Sequence, residues 1–167
     1  MENDRAAIEQ IATYLLSRNE QLVVVETSAG GNLSRLLTAV PGASRWFAGG
    51  IVAYGSVLRT GALGLDDAQF SSEGIVSARS GRLLARAGRE RFGVQWSVSE
   101  TGIAGPQAGR RTRKPEGLLY TCAIGPSQAV EHEWHIDPAE RAQLQRLFAL
   151  RALQDLVECI ISGGDEG

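Results

Sequence analysis

The chain predicts an α/β fold, a three-layer α/β/α sandwich around a mixed sheet, on three observations. Leu22-Val23-Val24-Val25 is a run of four apolar residues, three of them β-branched, of the kind a strand shows when both its faces are covered. Helix-period and strand-period patterns alternate through the first hundred residues, as in a parallel sheet with crossover helices. Two strand patterns in tandem, Leu118 to Ile124 and Ala129 to Ile136, are joined only by Gly125-Pro126-Ser127-Gln128, so an antiparallel hairpin and then one long helix close the chain.

Each element follows from local signals. Asn3 or Asp4 caps a first helix whose Ile8, Ile11, Ala12 and Leu15 share one face and which ends near Arg18-Asn19. Residues 22–26 form the central strand, and Asn32 begins a helix running to about 39, where Pro41-Gly42 stops it. Ala43 to Phe47 reads as a loop with two large aromatics, Gly49 to Gly55 as a second strand, and 57–65 as a short helix ending at Gly64. Asp66-Asp67-Ala68 caps a further short turn. Residues 77–91 form a longer helix capped by Ser77, with Leu83, Leu84 and Ala87 turned inward. Val94 to Ser99 alternates as a third strand and empties into Glu100 to Pro106, a second Gly-rich turn. Gln107 to Gly117 is polar and is expected to be mobile. Asp137 and Pro138 supply an N-cap and a first-turn proline for the longest helix, with Leu144, Leu147, Phe148, Leu153, Leu156, Val157 and Ile160 on its apolar face. One domain is expected over 1–162, with a disordered tail at 163–167.

Composition narrows the function classes. A length of 167 residues with 43% hydrophobic and 22% charged residues suits a single core. A net charge of −2 argues against a general nucleic-acid or membrane-surface binder. Cys122 and Cys159 lack metal-ligand spacing, no basic leader with an apolar core opens the chain, and no apolar run approaches a membrane span, so a cytoplasmic protein is expected. Of the 17 basic residues, Lys114 is the one lysine.

The candidate site is the turn from Glu26 to Ser34. Thr27 and Ser28 place hydroxyls at the carboxyl end of a strand, and Gly30 and Gly31 let the backbone reverse and approach a ligand. Amide groups and the dipole at the following helix start favour an anion. The same residues also suit a plain strand-to-helix turn, which commonly carries Gly and Ser. The turns 26–31, 54–59 and 100–106 all follow strands and are expected to share one pocket. Arg79, Arg82, Arg86 and Arg89 fall on one helix face, either a solvated surface or a phosphate-holding stripe. His132 and His135 lie three apart in a strand and so on opposite faces, and no metal site is expected from them.

At several ordered landmarks the chain resembles the CinA C-terminal-domain family of competence/damage-inducible proteins, which includes stand-alone nicotinamide-nucleotide amidohydrolases. Glu26 to Gly31 resembles the family's Glu-Ser-x-Thr-Gly-Gly turn, and Gly42-Ala43-Ser44-Arg45-Trp46-Phe47 is similar to its aromatic loop. Gly50 to Tyr54 with Leu63-Gly64-Leu65, Gly74-Ile75-Val76-Ser77, Thr101 to Pro106 and Lys114-Pro115-Glu116-Gly117 match further motifs in the same order. The resemblance implies hydrolysis of the amide of nicotinamide mononucleotide to nicotinate mononucleotide and ammonia, without a metal or cofactor. It also implies a homodimer, for which Trp46-Phe47 is a candidate contact, with no membrane partner. It places catalytic roles at Thr27, Tyr54, Arg59 and Ser44, and ligand or phosphate contacts at Ser28, Gly30, Gly31, Thr101, Gly102 and Arg146. The family's nucleophilic serine is here Thr27, its lysine is Arg59, the threonine before the paired glycines is Ala29, its asparagine is Ser56 and its glutamate is Ala78. A guanidinium stays protonated and cannot serve as general base, so amidase activity is expected to be weak or lost. Ser28 is the neighbouring alternative nucleophile. A silent member binding a pyridine nucleotide or phosphate ligand is the second reading. A DNA-associated protein using the arginines of 79–89 and 110–114 is the third, and the near-neutral charge makes nucleic acid an unexpected partner.

Overall fold

A strand covered on both faces needs a layer on each side, and β1 (Leu22–Glu26) has one: Leu22 and Val24 enter one apolar cluster while Val25 enters another across the sheet. The computed structural model of the chain describes residues 2–70, 73–106 and 112–163, with side chains from residue 4 onward. Helices α1 (Glu2–Arg18), α2 (Asn32–Thr38) and α5 (Arg141–Ser162) cover one face. Helices α3 (Ser56–Leu63) and α4 (Ala78–Phe92) lie with the second cluster on the other. Between them stand β1, β2 (Phe47–Val52), β3 (Trp96–Gly102), β4 (Leu118–Ile124) and β5 (Ala129–His135), in the order β2-β1-β3-β4-β5. The β1–β2 and β1–β3 pairs are parallel, and the β3–β4 and β4–β5 pairs antiparallel, so the mixed sandwich predicted from the sequence is the architecture observed.

Several expectations are corrected. The middle strand is β3, with β1 one place off centre. Every residue of β3 is buried despite its alternating W-S-V-S start. Small polar side chains there mark a close helix approach and not a wet face: Ser99 donates to the Gly81 carbonyl at 2.7 Å, and a Cβ on Gly88 would stand 3.1 Å from Ser97 Oγ. Strand β2 starts at Phe47, and Trp46 and Phe47 are buried in the core, which removes them as a dimer contact. Helix α1 begins at Glu2, so Asn3 and Asp4 lie inside its first turn, where acidic residues suit the dipole, and do not cap it from outside. Helix α5 begins only at Arg141, with Glu140 in the cap position; Asp137-Pro138 belongs to the link that carries the chain from the sheet edge onto its face. Ser77 caps α4 as expected, accepting from the Ser80 N–H at 3.2 Å. Ser162 completes α5, while the expected tail from 164 on and the polar loop at 107–111 lie outside the described residues. No described helix is long and apolar enough to cross a membrane.

Candidate functional site

Because β1, β2 and β3 run parallel, the chain leaves all three at the same edge, and the turns that follow them meet there. The result is a cavity of about 440 Å³ whose lining includes Ser28, Tyr54, Ile75, Gly102, Ile103 and Arg141. The shared pocket expected from the three turns is therefore present, but its contents differ from the expected set.

Most amide groups of the first turn are already taken. Glu26 at the end of β1 accepts from the N–H groups of Gly31, Leu33 and Ser34 at 2.9–3.1 Å and from the Ser34 hydroxyl at 2.6 Å. Glu100, its register partner on β3, accepts from the N–H groups of Thr27 at 2.5 Å and Ala29 at 2.8 Å. The start of α2 is thus occupied by the Glu26 carboxylate and the turn before it by the Glu100 carboxyl, so the anion cradle predicted at Gly30-Gly31 is largely filled from within. Gly30 and Gly31 keep a conformational role, with φ of 66° and 96° in the left-handed region. Glu100 is fully buried, and its Oε2 has no hydrogen-bond partner among the described residues. Burial above all, with the Glu26 charge adding to it, pushes its carboxyl up to about 8 against the bonds from the turn amides.

Thr27 and Ser28, in the bend after β1, face different surroundings. Thr27 Oγ1 donates to the Glu100 carbonyl at 3.1 Å and is not part of the cavity wall, whereas Ser28 is. Ser28 Oγ donates to the Gly102 carbonyl at 2.6 Å and accepts from the Gly102 N–H at 2.8 Å. Among the expected catalytic residues only Tyr54 reaches the cavity, 64% exposed, its hydroxyl accepting from Arg141 Nη2 at 3.2 Å. Arg141 Nη1 also donates to the Gly105 carbonyl at 2.5 Å, so one guanidinium ties α5 to two walls of the cavity.

The other expected residues stand elsewhere. Arg59, with a side chain 11% exposed, donates to the carbonyls of Ala53 at 3.4 Å and Tyr54 at 3.1 Å and pairs with Asp67 at 3.2 Å. It clamps the turn that carries Tyr54 and does not line the cavity. Ser44 is exposed in the single turn before β2, hence at the amino edge of the parallel strands, opposite the cavity. Thr101 is buried and donates to the Ile75 carbonyl at 2.8 Å, holding a cavity wall from behind. Arg146 is exposed in a separate groove with Arg5 and Arg35; five residues turn a helix by roughly 500°, so it cannot share a face with Arg141. Lys114 Nζ donates to the carbonyls of Glu73, at 2.8 Å, and Val76, bracing the 73–76 wall. The arginine stripe of α4 is engaged in part: Arg82 lies 3.4 Å from Glu131 and Arg89 donates to the Gly125 carbonyl at 2.6 Å.

Sequence reasoning missed Arg141, the Ile75-Val76 wall and Glu100. A carboxylate closing each of two buried strands just before a Gly-rich turn was a readable signal for the Glu26–Glu100 pair. Nothing local distinguishes Arg141 from the other arginines of its helix.

Comparison with known proteins bears on the same region. A family model described as the CinA C-terminal domain matches residues 4–160. A CinA-like protein from Synechococcus sp. is 36% identical over 165 residues, covering 96% of this chain and 38% of that protein. A CinA-like protein from Frankia casuarinae is 37% identical over 149 residues, covering 89% of this chain and 34% of its own length. The chain therefore spans less than two-fifths of these curated relatives. Among solved structures, the competence/damage inducible protein CihA from Agrobacterium tumefaciens superposes with a TM-score of 0.85 at 24% identity, covering 93% of this chain and 94% of that one. A CinA superfamily protein from Escherichia coli gives 0.85 at 19% identity, covering 95% and 92%.

Proposed function

The chain belongs to the CinA C-terminal-domain family, and from that premise we propose that its carboxyl-edge cavity binds a phosphorylated small molecule of the pyridine-mononucleotide class without ordinary amidase turnover. The observation that carries the reading is the fate of the basic residues. Arg141 brings a permanent positive charge to the cavity, beside the Tyr54 hydroxyl, where phosphate or carboxylate would be held. Arg59, at the position of the family's lysine, is bound to backbone carbonyls and Asp67 and, as a guanidinium, stays protonated and cannot accept a proton from a nucleophile. Ser28 is the hydroxyl on the cavity, and its bonds go to the backbone of Gly102 and, at 3.3 Å, to the Thr27 hydroxyl, so among the described residues no base is in place to activate it. A volume of about 440 Å³ is within the range of small-molecule sites.

Calorimetric titration with nicotinamide mononucleotide, run beside an ammonia-release assay, tests this. Saturable binding is expected, weakened at least tenfold by Arg141→Ala, which corresponds to about 1.4 kcal/mol. Ammonia release at ordinary enzyme rates of ~1 s⁻¹ or more would overturn the silent-site reading. Loss of such turnover in Ser28→Ala but not in Thr27→Val would then favour the second reading, an amidohydrolase with Ser28 as nucleophile, for which its place on the cavity wall speaks.

A further inference from the structure

The structure assigns a second, separate site to the side chains of His132, Asp155 and Glu158: we propose that they bind a divalent first-row transition metal of the zinc type between β5 and α5. One ligand atom from each residue lies within 4.8 Å of those of the other two. His132 Nδ1 stands 3.0 Å from Asp155 Oδ1. Two atoms bound to one ion at about 2.1 Å are separated by roughly 3.0–3.4 Å, so this pair already has the spacing of neighbouring ligands. Asp155 and Glu158 are three apart on α5 and project from one side of the helix.

The surroundings hold the donors in place. Asp155 is fully buried, and its Oδ2 accepts from the Thr121 hydroxyl, which itself accepts from Trp134 Nε1 at 2.9 Å. That leaves Oδ1 directed at His132. The imidazole is also packed against the Trp134 ring, with centroids 5.1 Å apart. Orientation of ligands by partners behind them is the usual construction of a metal site. Two carboxylates facing an imidazole offer two negative charges, which match a divalent cation, and the imidazole selects transition metals over magnesium. Glu158 is exposed and the His132 side chain is 39% exposed, so solvent can complete the coordination. The site lies fourteen residues along α5 from Arg141, roughly 21 Å, and is independent of the nucleotide cavity. His135, bonded to Glu133 at 2.7 Å, belongs to a different surface.

Titration of the full chain, freed of metal by a chelator, with zinc chloride tests the assignment. One saturating equivalent is expected, with affinity at least tenfold lower in Glu158→Gln and in His132→Gln and unchanged in His135→Gln. Zinc should raise the melting temperature of the unaltered protein and fail to do so in Glu158→Gln. Because Glu158 is exposed, that variant decides the matter if His132→Gln does not fold. No saturable zinc binding, or binding undiminished in Glu158→Gln, or binding lost in His135→Gln, would each overturn the site.

Discussion

Individual residues in the first turn show how a family-like pattern can carry a different physical state. Glu26 and Glu100 occupy the amide groups that a substrate anion would otherwise meet, and Glu100 does so from a fully buried position. Its folded carboxyl, at about 8, is raised above the ordinary 4.5, so the folded chain keeps a proton that the unfolded chain releases across that interval. Stability is therefore fully present below about 4.5 and falls as pH rises towards 8, with a slope on the order of 1 kcal/mol per unit at its steepest. Urea denaturation at successive pH values should show this decline, and Glu100→Gln, which keeps an acceptor for Thr27 and Ala29, should flatten it. An identical slope in both proteins would sink the attribution. At Arg59, replacement by Lys removes the fork that reaches two carbonyls and Asp67 together. A loss of about 1–2 kcal/mol in the same assay is expected. Restored ammonia release in Thr27→Ser with Arg59→Lys would show instead that these two substitutions alone silence the site.

At the scale of elements, the informative contact is α4 against the sheet. A Cβ at Gly88 would come within 2.7 Å of Val25 Cγ2 and 3.3 Å of Val23 Cγ1, so Gly88→Ala must push the helix off β1. A destabilisation of about 1–3 kcal/mol is expected by thermal denaturation, despite alanine's higher helix propensity. Ser77 links the same helix to the cavity: its hydroxyl caps Ser80 N–H and lies 3.2 Å from the Gly74 carbonyl, to which it donates. Ser77→Ala should cost about 1 kcal/mol and also speed amide exchange at Ile75 and Val76, which line the cavity. Element positions were largely legible because burial leaves a local period: the four-residue apolar run, the Ser77 cap and the Gly125 to Gln128 hairpin were all found where they lie. The misreadings fell where local signals compete, as at Asp137-Pro138, whose cap chemistry serves a link and not a helix start.

For the molecule as a whole, two apolar clusters share one sheet, with Trp46 and Trp96 in the first and Leu84 of α4 in the second. Neither layer can keep its apolar face covered if the sheet between them is lost. One cooperative unfolding transition is expected, with tryptophan fluorescence and far-ultraviolet circular dichroism giving the same midpoint; two separate midpoints would show that the layers are independent. The sequence by itself determined the kinds and order of the elements and the edge at which the cavity lies, since periodicity, caps and parallel crossovers act over short stretches of chain. Only the tertiary structure decided that Ser28 and not Thr27 meets the cavity, that Arg141 and not Arg146 supplies its charge, and that His132 looks onto Asp155. Those outcomes depend on rotation about a helix axis and on register between strands such as β1 and β3, where partners like Ser28 and Gly102 are 74 residues apart, and no local pattern encodes such angles.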